Sequence, residues 1–229
     1  MVHKILKEME DNNVEPDNLT LNSKLQLYAA ESNIKTMEKL LAEYDANTIF
    51  TLYWRTSCKM AEACLKHGLV VEAVKKMRRA KELVDPTSKK LVYESLTVLY
   101  GDAGKGEDVY RIWDLYKVDV KDKECRSVIS ALLKLNDING AIKVFKEMYF
   151  GDLFEHKYDI QNVAMIASAC CESGQTEEAM EIMYMIIRAR AVFKMMKLMA
   201  VSLAVAVVYI SFNLVGLVIF ILKMALGAI

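Results

Sequence analysis

Apolar side chains recur at three- and four-residue steps through most of the first 190 residues. Val70, Ala73, Val74 and Met77 form one such set, and Ile138, Ala141, Ile142 and Phe145 another. This spacing lines one face of an α-helix. No alternating apolar–polar run, as a half-buried strand would need, competes with it. The stripes come in pairs, with Tyr93, Leu96 and Tyr100, or Val128, Ile129 and Leu132, on the preceding member. Between the members of a pair stand short-residue corners at Ser32, Gly68, Gly104, Asn136 and Gly174, spaced by 36, 36, 32 and 38 residues. Five residues beyond them lie Met37, Ala73, Val109, Ala141 and Ala179.

The two prolines, Pro16 and Pro86, both fall between one pair and the next. Proline lacks a backbone donor and clashes inside a helix, so it suits such junctions. The pattern predicts an all-α chain of helix–turn–helix repeats. One helix pair cannot bury its apolar face alone, and stacking neighbours gives an α-solenoid. The expected units are 18–53, 54–89, 90–121, 122–159 and 160–190. Residues 1–17 read as the second helix of an earlier, partial unit. The opening residues carry acids and no apolar core, so they read neither as a signal peptide nor as a transit peptide.

Composition changes the picture at one end. Residues 198–222 are 25 positions without a charge, enough helix to span a bilayer core of roughly 30 Å. This tail, 191–229, is expected to carry a membrane-spanning helix. Arg188, Arg190, Lys194 and Lys197 before it, against Lys223 after it, would keep the repeats on the cytosolic or matrix side. The whole chain holds 30 basic and 30 acidic residues, and residues 1–190 hold 27 and 30, net −3. That balance disfavours a surface that grips phosphates everywhere.

The five cysteines, Cys58, Cys64, Cys125, Cys170 and Cys171, have no zinc-ligand spacing and read as buried free thiols. His3, His67 and His156 pair with no second ligand or nucleophile. No phosphate-binding glycine loop or nucleophile elbow occurs. Trp54 and Trp113, at helical positions, read as packing residues. No catalytic residue, metal site or cofactor is expected, and the chain is read as a binding protein, not an enzyme.

Local phrases narrow the repeat type. "ILKEMEDNNVEPDNLTLN" (5–22), "YRIWDLYK" (110–117), "VFKEMYF" (144–150) and "ACCESGQTEEAMEIM" (169–183) resemble the pentatricopeptide-repeat family, of P type and of its plant mitochondrial branch. The resemblance covers about residues 1–190. It implies stacked repeats whose first helices line a groove for single-stranded RNA, one base per repeat, without chemistry. It also implies a mitochondrial location and a role in organelle RNA processing, stability or translation.

In that family, bases are read by the fifth residue of the first helix and the last residue of the repeat. Carried over, the fifth positions are Asn22, Cys58, Glu94, Arg126 and Ala164. The last positions are Tyr53, Lys89, Lys121 and Asp159. Asn22 and Asp159 match the family's usual readers, but in different repeats. Ala164 has no hydrogen-bonding side chain and Cys58 is a weak donor. Residues 75–90 hold a basic run that lies mostly on a second helix, so Lys89 and Lys90, at the mouth of a first helix, are the better phosphate contacts. The alternative is a protein-interaction scaffold, ribosome-associated or tethered to a membrane through 198–222, with little reading of RNA sequence.

Overall fold

Local chemistry marks where each helix begins. Asp17, just past Pro16, accepts the Thr20 N–H at 2.7 Å and caps the first full helix pair. Asn33 accepts the Thr36 N–H at 3.3 Å and caps the helix after the first corner. The structure, a computed structural model, describes residues 2–46, 50–117, 122–150 and 160–185, together with 187, 194–195, 198–199 and 202–203. These residues form α1 (Val2–Asp11), α2 (Asn18–Ala30), α3 (Ile34–Asp45), α4 (Trp54–Lys66), α5 (Val70–Glu82), α6 (Lys89–Asp102), α7 (Gly106–Tyr116), α8 (Asp122–Lys134), α9 (Ile138–Phe150) and α10 (Ile160–Glu172). The chain is helical again over 176–185, and no strand occurs among the described residues.

One hydrogen-bond diagram is drawn at every corner. Ser32, Gly68, Gly104, Asn136 and Gly174 all have positive φ, between 58° and 78°. Each donates its N–H to the carbonyl three residues back, as Gly68 does to Leu65 at 2.9 Å. The next residue donates to the carbonyl five places before itself, as Leu69 does to Cys64 at 2.9 Å. These two bonds satisfy the orphan carbonyls of a helix end. The second helix then starts with a bond from the fifth residue past the corner, as Ala73 to Leu69 at 2.9 Å. Those fifth residues, Met37, Ala73, Val109, Ala141 and Ala179, are at most 3% exposed. The corner therefore fixes both the turn and the first side chain that enters the core.

Contacts divide the chain into two compact units, Met1–Ala169 and Cys170–Ile229. Within the first, α2 packs on α4, α4 on α6 and α6 on α8, so the first helices form one layer. Each also packs on its own second helix: α2 on α3, α4 on α5, α6 on α7, α8 on α9. The second helices α3, α5 and α7 further touch the next first helix. This is an α-solenoid, with a continuous core through Leu25, Met60, Met77, Leu96, Ile112, Ile129 and Phe145. In the second unit, Cys170, Ala179 and Ile182 are buried.

Polar ties fix the register between neighbouring pairs. Gln26 Nε2 donates to Thr56 Oγ1 at 2.8 Å, and Trp113 Nε1 to Glu147 Oε2 at 3.0 Å. Arg79 holds Asp45 through both guanidinium nitrogens. Lys76, only 8% exposed, reaches Glu38 at 2.7 Å. A buried cation left without its partner is costly, so Lys76 constrains how α5 sits on α3. At Gly101 a Cβ would lie 2.8 Å from the Cβ of Ala131, so α6 and α8 approach as closely as backbone and methyl allow.

One expectation needs adjustment, and another lies almost wholly outside the described residues. Cys58, Cys64, Cys125 and Cys170 are buried free thiols, but Cys171 is exposed, because it falls one step off the apolar stripe of α10. The expected membrane-spanning helix at 198–222 lies outside the described residues except for 198–199 and 202–203. Among the described residues no helix is long and apolar enough to cross a membrane.

Ser32 occupies, at φ 58°, a conformation that glycine occupies at Gly68. Ser32→Gly should stabilise the chain by about 0.5–1 kcal/mol, and Gly68→Ala should destabilise it by about 1 kcal/mol, in urea unfolding followed by circular dichroism.

Candidate nucleic-acid interface

The five fifth-position residues each stand ten places before a corner, on α2, α4, α6, α8 and α10. Because α2, α4, α6 and α8 form one layer, Asn22, Cys58, Glu94 and Arg126 occupy the same place on successive helices. Their surroundings differ sharply.

Asn22 is 1% exposed. Its Nδ2 donates to the Asn18 carbonyl at 2.9 Å and to the Thr51 carbonyl at 3.0 Å. Its Oδ1 accepts the Tyr53 N–H at 2.9 Å. One helical turn earlier, Asn18 Oδ1 accepts the Thr51 N–H at 2.9 Å. Two asparagines at i and i+4 thus bracket residues 51–53, the length of chain that enters α4. Both amide hydrogens of Asn22 are committed to this bracket.

Cys58 is 8% exposed, and burial pushes its thiol up to about 12. It is a packed neutral group. Glu94 is half-buried and accepts from the Ser127 hydroxyl of the next first helix at 3.4 Å. Arg126 is half-buried on α8, and Ala164 is exposed on α10 with no side-chain donor or acceptor.

Among the last positions, Tyr53 is 39% exposed and forms the N-cap of α4 in an extended conformation, φ −88° and ψ 143°. Lys89 is exposed, with its Nζ 5.9 Å from the centroid of the Tyr93 ring, and Lys90 is half-buried beside it. Lys121 and Asp159 lie outside the described residues. Asn22 and Tyr53 are joined directly by the bracket. The pairing of Cys58 with Lys89 combines an inert thiol and an exposed cation.

The linker before Lys89 is itself built by a carboxylate. Asp85 Oδ1 accepts the N–H groups of Thr87 and Ser88, each at 2.9 Å, and the Thr87 hydroxyl. The Thr87 hydroxyl and then Ser88 draw its carboxyl down to about 2. This turn places Lys89 and Lys90 at the first turn of α6.

Further cations lie on the same layer. Lys59 and Lys66 share one acid, Glu62, at 2.8 and 3.0 Å, and Lys134 pairs with Asp102. Arg55 is exposed, its guanidinium 5.1 Å from the centroid of the Trp54 ring. Asn18, Arg55 and Ser127 were not singled out from sequence, although the Asn18–Asn22 spacing was visible there. Among the described residues no group of three His, Cys, Asp or Glu side chains could hold a metal ion.

The family model for the PPR repeat matches residues 125–149 and 165–190. A mitochondrial pentatricopeptide repeat-containing protein of Arabidopsis thaliana is 36% identical over 190 residues, 82% of this chain and 38% of that protein. A second pentatricopeptide repeat-containing protein of the same plant is 37% identical over 185 residues, 80% of this chain and 32% of the other. This chain belongs to the pentatricopeptide-repeat family. The fold agrees: the crystal structure of the maize pentatricopeptide repeat protein PPR10 superposes with a TM-score of 0.58 at 16% identity, over 81% of this chain and 26% of that one. The large ribosomal subunit protein mL101 (rPPR4) of Arabidopsis is 30% identical over 132 residues, 56% of this chain and 26% of that protein. This pentatricopeptide-repeat chain spans about a third of the length of the relatives it matches.

Asn22→Ala removes three hydrogen bonds and should cost about 1–3 kcal/mol in urea unfolding. Asp85 gives a pH signature. Its folded carboxyl titrates near 2, below the unfolded value of about 3.9, so its contribution is present above pH 4 and lost as pH falls through about 2. The stability difference between the wild type and Asp85→Ala should be constant from pH 7 to 5 and close towards pH 2.

Proposed function

We propose that this chain holds single-stranded RNA along its layer of first helices, without chemistry, in mitochondrial RNA processing, stability or translation. Pentatricopeptide-repeat proteins are in general RNA-binding helical-repeat proteins. The observation that carries the proposal is that α2, α4, α6 and α8 stand side by side and expose polar and basic groups: Ser23, Arg55, Lys59, Lys89, Ser130 and Lys134. Such a surface offers phosphate contacts at successive helices although the chain as a whole is neutral. Mitochondrial relatives support the location.

The proposed contacts are unequal. Lys89 and Lys90 serve phosphate, while Glu94 and Arg126 are groups able to meet a base edge. Asn22 and Cys58, both buried, and Ala164 contribute no edge contact in this reading. Lys121 and Asp159 remain proposed contacts of the third and fourth units. Weak sequence reading follows from this inventory.

The second reading is a protein scaffold, with other chains of a ribonucleoprotein as its partners. It is favoured by the inert groups at three of the fifth positions and by the ribosomal relative. The two readings separate in equilibrium binding of the full chain to a random single-stranded RNA pool at low and near-physiological salt. RNA holding predicts binding that weakens with salt. The double variant Lys89→Gln/Lys90→Gln should then flatten the log–log salt slope by about 1.4, roughly 0.7 for each phosphate no longer neutralised. Absence of binding at low salt would leave the scaffold.

A further inference from the structure

We propose that the second helix of the last unit lies on the surface of an anionic lipid bilayer, with Met180, Met183, Tyr184 and Ile187 as the face that enters the lipid. This contact goes beyond the RNA-binding reading and does not depend on it.

The helix over 176–185 carries two apolar sets. Ala179 and Ile182 are buried, whereas Met180, Met183, Tyr184 and Ile187 are between 52% and 65% exposed. Their steps of three and four residues place the exposed four on one stripe. The earlier units show how unusual that stripe is. Six and nine residues past a corner they hold Val74 and Met77, Tyr110 and Trp113, or Ile142 and Phe145, all buried or half-buried. Ten and thirteen residues past it they hold Ala42 and Asp45, Arg78 and Lys81, or Asp114 and Lys117, all exposed. Stacking of repeats therefore uses the first two positions and leaves the other two in water. In the last unit all four are large, apolar and exposed. Tyr184 and Ile187 widen the apolar face beyond what stacking employs.

The neighbouring chemistry defines the partner. Further along, Met195, Leu198, Met199 and Leu203 are helical and between 65% and 72% exposed. From residue 182 to 229 the sequence holds the cations Arg188, Arg190, Lys194, Lys197 and Lys223 and no acid. Lys194 is exposed, one residue before Met195. Exposed apolar side chains beside cations, with no acid among them, complement acyl chains beneath anionic headgroups. A second copy on this face would bring together two segments of the same sign, which repel. Methionine is flexible enough to fit a fluid surface, and a tyrosine ring suits the boundary between acyl chains and headgroups.

The test uses the full chain carrying Met183→Cys and Cys171→Ser, labelled with a polarity-sensitive nitrobenzoxadiazole dye; Cys58, Cys64, Cys125 and Cys170 are buried. Vesicles of mixed phosphatidylcholine and phosphatidylglycerol should move the emission to shorter wavelength. Vesicles of phosphatidylcholine alone should need at least about ten times as much lipid for the same response. The dye placed instead by Lys75→Cys, on the charged outer face of α5, should not respond. Adding Met180→Asp/Tyr184→Asp should abolish the shift at Met183; both residues are exposed, so the buried Ala179 and Ile182 are untouched. A shift that survives those two carboxylates overturns the assignment to this face. Co-flotation of the chain with vesicles and no shift at Met183 also overturns it, because other residues then hold the membrane. An equal response to both kinds of vesicle overturns the anionic surface. A shift without vesicles that grows with protein concentration would assign the face to a second copy and overturn the lipid.

Discussion

The constraint on which the rest depends is the left-handed residue at each corner. It reverses the chain in two hydrogen bonds and closes the first helix. It also sets the phase of the second helix, because the fifth residue beyond it always faces the core. Once that phase is fixed, the apolar stripes meet, and the first helices fall into one layer. Glycine takes the left-handed conformation without strain at three corners, while Ser32 and Asn136 adopt it with a side chain, a conformation asparagine tolerates better than most residues.

Much of the fold was legible for this reason. Corners were visible as short residues at near-regular spacing, and prolines marked the junctions between pairs. Period-3.6 stripes then gave the helices. The burial of Met37, Ala73, Val109, Ala141 and Ala179 follows from the same count of residues that located them in the sequence. Cys171 marks the limit of such a stripe. Adjacent residues on a helix point about 100° apart, and on α10 Cys170 falls on the buried stripe with Ile166 while Cys171 falls outside it.

The interface was less legible, because what a side chain can read depends on what already holds it. Asn22, like Asp159, matches the family's usual readers, yet its amide is engaged by Asn18, Thr51 and Tyr53. Thr51 and Tyr53 lie 29 and 31 residues away, and no local pattern announces them. Arg55, exposed on α4, carries no motif that sets it apart in the sequence. Its guanidinium lies 5.1 Å from the centroid of the Trp54 ring. By contrast, the place of Lys89 and Lys90 at the first turn of α6 was legible, because Pro86 marks the linker before it.

Gly101 has a consequence for how neighbouring repeats meet. A Cβ there would lie 2.8 Å from the Cβ of Ala131, so a single added methyl would act as a wedge between α6 and α8. In a solenoid each repeat rests only on its neighbours, so a wedge at one step would change the angle of the row at that point.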